Sequence, residues 1–135
     1  MTTKQPYFTV IIVAFNSGDY LDECINALEK QIFKDFEIII FDNGTKNGSS
    51  HSISSSSLNI SVIKSTSNKG FAVGNNAAAK DAKGDWLVLL NSDAIPEKDW
   101  LLEIFKAVCR YPDIVIFGST QINYHHPKVL DGAGD

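Results

Sequence analysis

Two oxygen-bearing side chains stand two positions apart, directly after a short apolar run. Asn91 and Asp93 flank Ser92, and all three follow the apolar stretch 86–90. In extended backbone, residues i and i+2 point to the same side, so the amide and the carboxylate can face one divalent cation. Carboxylate, carbonyl and phosphate oxygens are the ligands that Mg²⁺ and Mn²⁺ prefer. The alternative is that Ser92 and Asp93 cap a following helix, since both are good capping residues.

A second acidic residue, Asp42, ends another apolar run and precedes Asn43 and Gly44. A carboxylate at this position can accept a hydrogen bond from the N3–H group of uracil or thymine, and its charge strengthens such a bond. The same three residues also form good turns, because an Asp side chain can bond to nearby backbone. The sequence leaves both interpretations open.

A glycine-containing segment, 69–76, opens a stretch rich in alanine. Gly70 and Gly74 allow close backbone approach, and free N–H groups at a helix start favour anions. Lys69 can reach a phosphate, although most single lysines are simply solvated. The segment is not G-x-G-x-x-G, and no such motif follows the first apolar run. This absence argues against a nicotinamide-dependent dehydrogenase.

Composition and charge exclude several classes of protein. The chain has 135 residues and a net charge of −4, without a basic stripe, so nucleic acid is not an expected partner. The first hydrophobic stretch, 7–15, is too short for a transmembrane segment and lacks the flanks of a signal peptide. We therefore expect one domain over 1–135 in a cytoplasmic chain, peripheral at the inner face of the membrane where partners bring it there.

The cysteines and histidines carry no predicted chemistry. Cys24 and Cys109 fall on apolar faces of predicted helices, and we expect two buried free thiols in a reducing compartment. His51, His125 and His126 are expected at the surface.

Apolar runs alternate with helical patterns along the chain. Short, β-branched runs predict buried strands at 8–15, 36–41, 60–63, 86–90 and 114–117. Helical spacing of apolar or small residues predicts helices at 21–32, 70–82 and from about Pro96 to Val108. After Gly118 the pattern weakens. The order predicts the α/β class, with an open, mostly parallel, Rossmann-like sheet and helices on both faces.

Three of the predicted strands end in small polar or acidic residues. The first strand runs into Asn16, the second into Asp42, and the fourth into Asn91. Ligands of open α/β sheets bind outside the carboxyl ends of the strands. The sequence therefore predicts one site that combines these three strand ends.

These segments together resemble glycosyltransferase family 2, whose members are inverting enzymes with the GT-A fold. The matching segments are VIIVAFNSGDYLDECINAL, FEIIIFDNGTKNGS, NKGFAVGNNAAAK and DWLVLLNSDAIPEKDWL, and the resemblance runs from Phe8 to Asp135. NKGFAVGNN, LLNSDAIP and LDGAGD are most similar to a rhamnosyltransferase-like branch that builds bacterial polysaccharides. The resemblance implies a dTDP-rhamnose or UDP-sugar donor, Mg²⁺ or Mn²⁺, and a saccharide or lipid-linked saccharide acceptor.

The resemblance also implies a role for each matching residue. Asp42 would bind the pyrimidine base, and Asp93 would be the metal carboxylate of a D-x-D motif whose first residue is replaced by Asn91. The residues expected to bind the nucleotide-sugar are Ala14, Phe15, Asn16, Asp42, Asn43, Gly70, Phe71, Gly74, Asn75, Asn91 and Ser92.

The sequence departs from the family pattern after Asp93. Family members are longer, and their later part carries an acidic general base, often in a Glu-Asp pair, which deprotonates the acceptor hydroxyl. No such pair follows Asp93, and Asp131 and Asp135 are candidates only by default. We expect a truncated chain or a short relative. The alternative is a non-catalytic, degenerate GT-A module used for binding or assembly, and an exposed edge strand makes a homodimer possible in either case.

Overall fold

The computed structural model describes residues 4–46 and 57–133. His51, most of the serine-rich segment 52–57 and Asp135 lie outside the described residues. The chain divides into two compact units, Met1–Trp100 and Leu101–Asp135. The expectation of a single domain over 1–135 stays a prediction.

The first unit contains a four-stranded parallel sheet. Its strands are β1 (Phe8–Ala14), β2 (Phe36–Asp42), β3 (Ile60–Lys64) and β4 (Trp86–Leu89). They lie in the order β3-β2-β1-β4, and every neighbouring pair is parallel. β1 is central and almost wholly buried, as expected for an apolar strand that is covered on both faces. The α/β class and these four strands are confirmed.

Two helices connect the strands of this sheet. In α1 (Asp19–Glu29), apolar residues recur at helical spacing, and Leu21, Cys24 and Leu28 are buried. α2 (Phe71–Asp81) carries small residues on its buried face. A Cβ atom added to Gly74 would lie 3.0 Å from side-chain atoms of Val13 and Phe41, so α2 packs closely on this face of β1 and β2.

The two crossover connections run in opposite directions across the sheet. The chain passes from β1 through α1 to β2 on one side of β1, and from β3 through α2 to β4 on the other side. Since such crossovers are right-handed, the two helices cover opposite faces of the sheet. The direction changes between β1 and β4, and the crevice at their carboxyl ends is where such sheets bind ligands.

The chain beyond β4 differs from expectation in two respects. Helix α3 spans Trp100–Arg110, so it begins four residues after Pro96, and it is followed by an antiparallel pair, β5 (Thr120–Ile122) and β6 (Leu130–Ala133). The predicted fifth strand at 114–117 is wrong. Val115 and Ile116 are 77% and 83% exposed, and the stretch belongs to neither sheet of the described chain. An apolar run indicates a strand only where a neighbouring strand pairs with it.

The two cysteines have different surroundings. Cys24 is buried, as predicted, but the prediction for Cys109 is wrong because its side chain is exposed. Cys109 lies in the last turn of α3, where Arg110 is exposed as well. Among the helices in the described part of the chain, none has the length and apolar character needed to cross a membrane.

Candidate functional site

An open cleft lies where the sheet changes direction, between the carboxyl ends of β1 and β4. Its volume is about 270 Å³, near the lower end for small-molecule sites. The lining residues come from the end of β1 with the start of α1, from the start of α2, and from the loop after β4. They are Val13, Phe15, Ser17, Tyr20, Phe71, Asn91, Ser92 and Asp93.

Asn91, Ser92 and Asp93 form a turn beside this cleft. The backbone N–H of Ala94 donates to the carbonyl oxygen of Asn91 over 3.1 Å, so the segment is not extended as the spacing argument assumed. The three side chains nevertheless all line the cleft. The alternative of a helix cap is wrong, because α3 begins only at Trp100.

Two contacts join the loop after β4 to the segment after β1. The hydroxyl oxygens of Ser17 and Ser92 are 2.7 Å apart, which is hydrogen-bonding distance. Behind them, the Cys24 thiol donates to the carbonyl oxygen of Asn91 over 3.8 Å. A pair of hydroxyls needs only one of its two protons for the mutual bond, so the other remains free to donate to a ligand oxygen.

Of the residues that the structure describes, Asp93 is the only charged one that lines the cleft, and its side chain is exposed. Its influence reaches the protein interior. Burial, and to a smaller extent the negative charge of Asp93, raise the pKa of the Cys24 thiol to about 12. Cys24 therefore stays a neutral thiol at physiological pH and is not a nucleophile.

Three aromatic rings stand at the cleft with unusually large exposed fractions. Phe15 is 44% exposed, Tyr20 is 61% exposed and Phe71 is 55% exposed. Aromatic rings beside hydroxyl and carboxylate oxygens suit a ligand that has both a flat ring and polar groups. Sequence reasoning predicted Phe15 and Phe71 but missed Tyr20. The available signal was its place in the first turn of the helix after β1, which lies at the carboxyl edge of the sheet.

Asp42 ends β2 and does not line the cleft. Its Oδ1 atom accepts a hydrogen bond from the backbone N–H of Thr45 over 2.9 Å, so the turn interpretation is confirmed for one carboxylate oxygen. The same loop supports its neighbour after β1. The backbone N–H of Asn16, which has a φ of 49°, donates to the Thr45 hydroxyl over 3.2 Å. Contact between Asp42 and a base stays a prediction.

The remaining predicted residues do not line the cleft and lie in the strands, loops and helix next to its lining residues. Asn43 is 2% exposed and its amide bonds to the segment 68–70. Ala14 is buried at the end of β1. In α2, Gly74 packs on β1, and the Asn75 amide donates to the carbonyl oxygen of Phe71 over 3.0 Å. Gly70 precedes the helix with a φ of 85°. Their contacts with a ligand stay predictions.

Asp131, a candidate general base, and the histidines in the described part of the chain do not line the cleft. Asp131 is exposed in β6 and accepts a hydrogen bond from the Asn123 amide over 3.2 Å. His125 and His126 are exposed, as predicted. Within residues 4–46 and 57–133, no group of three or more His, Cys, Asp or Glu side chains is placed to hold a metal.

The family model described as "Glycosyl transferase family 2" matches residues 9–129. An uncharacterized glycosyltransferase of Bacillus subtilis, YfnE, is 32% identical over 113 residues, which are 82% of this chain and 29% of that protein. The glycosyltransferase GlyG of Streptococcus pneumoniae is 25% identical over 92% of this chain and 41% of its own length.

Solved structures show the same fold. The crystal structure of S. aureus TarS 1-349 in complex with UDP-GlcNAc matches with a TM-score of 0.73 and 26% identity, over 78% of this chain and 32% of that chain. The chain thus spans between 29% and 41% of the length of these three matched chains.

Proposed function

The chain belongs to glycosyl transferase family 2, and we propose that it forms the donor-binding part of an inverting glycosyltransferase. The donor would be a pyrimidine nucleoside diphosphate sugar, dTDP-rhamnose or a UDP-sugar. One observation carries this proposal: Asn91, Ser92 and Asp93 meet exposed aromatic rings in the cleft between β1 and β4. The match to TarS, whose structure holds UDP-GlcNAc, supports it.

The residues of the cleft fit a divalent cation that is shared with the donor. Asp93 supplies one exposed carboxylate, and the oxygens of Ser92 and Asn91 lie beside it. Mg²⁺ in substrate sites is held by one or two carboxylates together with substrate phosphates and water, so a single carboxylate is sufficient. When bound, Mg²⁺ or Mn²⁺ would stabilise the negative charge of the departing nucleoside diphosphate.

The other parts of the cleft would hold the rest of the donor. Phe15 and Phe71 offer ring faces to the base or the sugar, and the Ser17–Ser92 pair offers one hydroxyl proton to a phosphate oxygen. A saccharide or lipid-linked acceptor, its general base and a role in polysaccharide synthesis belong to the whole protein and remain proposals. The same holds for a homodimer and for a cytoplasmic place near the membrane.

Calorimetric titration with UDP and dTDP tests the donor-binding proposal. We expect both to bind in the presence of Mn²⁺ or Mg²⁺ and to bind more weakly when EDTA removes the ion, because Asp93 would hold the cation that stabilises the charge of the diphosphate. ADP serves as the control. A folded chain that binds neither pyrimidine nucleotide would contradict the proposal. A chain that binds donor but never transfers sugar, even within its full-length protein, would favour the non-catalytic module.

Replacement of Asp42 by Asn separates its two roles. Asn can still accept the hydrogen bond from the Thr45 N–H group, so the turn is kept. It lacks the negative charge that would strengthen the bond to the N3–H of uracil, and we expect UDP to bind about five- to tenfold more weakly. CDP is the matched control, because N3 of cytosine has no proton. If the substitution weakens UDP and CDP binding equally, Asp42 does not contact the base.

A further inference from the structure

We infer that Asn43 is a positioning residue for the donor: it acts through the segment 68–71 and fixes the place of Phe71 in the cleft. The inference rests on the proposed function, and it gives Asn43, which the resemblance places at the nucleotide-sugar, a role that requires no contact with the ligand. Asn43 follows β2 directly, and its side chain is 2% exposed. It lies beneath the segment that leads into α2.

The Asn43 amide uses both of its ends to hold this segment. Its Nδ2 group donates to Oδ1 of Asn68 over 2.9 Å and to the carbonyl oxygen of Gly70 over 3.3 Å. Its Oδ1 atom accepts from the backbone N–H of Lys69 over 2.8 Å. Three consecutive residues are thus tied to one side chain, and the last of them immediately precedes Phe71.

Neighbouring contacts also hold the segment 68–70 close to the loop after β2. Oδ1 of Asn68 also accepts from the backbone N–H of Gly70 over 2.9 Å. A Cβ atom on Gly44 would lie 2.9 Å from the backbone carbon of Ser67, so the two loops approach without room for a side chain. The residues that follow β2 therefore hold the segment before α2 in place.

The chemistry of an amide explains why Asn is suited to this position. A buried amide that lost its partners would leave a donor and an acceptor unsatisfied, which is costly. In the observed conformation, the segment 68–70 offers acceptors to Nδ2 and a donor to Oδ1 together. The burial of Asn43 thus selects one conformation of the segment, and with it one position of the Phe71 ring at the cleft.

The test compares Asn43→Leu with Thr9→Val in the purified chain. Leu has nearly the shape of Asn without its polar atoms. Thr9 is a matched control because it is a fully buried polar residue near the amino end of β1, away from the cleft. Its hydroxyl donates to Glu37 and accepts from the Gly84 N–H. UDP affinity in Mn²⁺ is measured for both variants at a temperature where circular dichroism shows them folded. Hydrogen exchange of the Lys69 and Gly70 amides is followed in parallel.

We expect Asn43→Leu to bind UDP about tenfold more weakly and to exchange the Lys69 and Gly70 amides faster than the wild type. Thr9→Val should keep the wild-type affinity and the slow exchange of both amides. The inference is overturned if Asn43→Leu binds as tightly as the wild type, or if Thr9→Val loses as much affinity.

A second pair of variants remains informative if Asn43→Leu does not fold. Asn68 is exposed, so its substitution should leave the fold intact. Asn68→Ala removes the acceptor of Asn43 and should weaken UDP binding, whereas Asn68→Asp keeps an acceptor oxygen and should restore it. Equal affinity of these two variants would contradict the inference. If the wild type binds neither UDP nor dTDP, the proposed function fails, while the exchange rates still decide whether Asn43 holds the loop.

Discussion

Asp93→Ala is expected to lower the affinity for UDP in Mn²⁺ by about 100-fold. This loss would be most of the affinity that the metal contributes. Among the described residues, Asp93 is the only charged residue that lines the cleft, and no group of three or more His, Cys, Asp or Glu side chains is placed to hold a metal. Asp93 would hold the cation beside the diphosphate, so loss of its carboxylate would remove the one anionic side chain that the described residues place at the cleft. Calorimetric titration in Mn²⁺ measures the effect.

The sign of the effect should reverse when the metal is removed. In EDTA the carboxylate of Asp93 repels the diphosphate, so Asp93→Ala should bind UDP as well as the wild type or somewhat better. Asp99→Ala is the matched control, because Asp99 is also an exposed carboxylate but does not line the cleft. A variant that weakens UDP binding equally with and without Mn²⁺ would exclude Asp93 as a metal ligand.

The central sheet could be predicted from the sequence because each of its strands carries its own signal. β1 and β2 are buried on both faces, and a strand of that kind is a short, continuous apolar run. The spacing of Leu21, Cys24 and Leu28 likewise predicts α1 without knowledge of its partner. In these elements the local pattern and the tertiary environment agree.

The stretch 114–117 shows that an apolar run alone does not predict a strand. Its residues have the composition of a buried strand, yet Val115 and Ile116 are mostly exposed. Strand formation depends on a partner that the run itself does not specify. The short antiparallel strands β5 and β6 were missed for the opposite reason, since Thr120 and Gln121 carry no apolar alternation.

The location of the site could be predicted from the sequence, but the roles of its individual residues could not. Topology alone brings the ends of β1 and β4 together, so Phe15 and Asp93 could be placed at one edge of the sheet. The sequence could not show that Asp42 bonds to Thr45 or that the Asn43 amide is turned into the protein, because these bonds depend on loop conformation. The residue types indicate which side chains could bind a donor. The conformations of the loops decide which of them face the cleft and which hold the loops in place.

Gly84→Ala is expected to give the largest loss of stability among these substitutions. A Cβ atom at this position would lie 2.4 Å from the backbone nitrogen of Thr9 and 2.6 Å from the backbone carbon of Phe8. These atoms belong to the central strand, which is fixed by parallel pairing on both sides and cannot move aside. We expect the free energy of unfolding to fall by about 3–5 kcal/mol, and the Tm to fall by about 10–20 °C.

The hydrogen bonds around Gly84 explain why the clash cannot be relieved by moving the loop instead. The Gly84 N–H donates to the Thr9 hydroxyl over 2.8 Å, and the Lys83 N–H donates to Oε1 of Glu37 over 2.7 Å. Displacing the loop would deprive the buried side chains of Thr9 and Glu37 of these partners, at a cost of about 1–3 kcal/mol for each polar group left unsatisfied. Gly18→Ala is the control, since nothing lies within 4 Å of an added Cβ there and only its φ of 52° opposes the substitution. If thermal unfolding of the two variants gives the same Tm, the close approach of Gly84 to Phe8 and Thr9 does not determine the loss of stability.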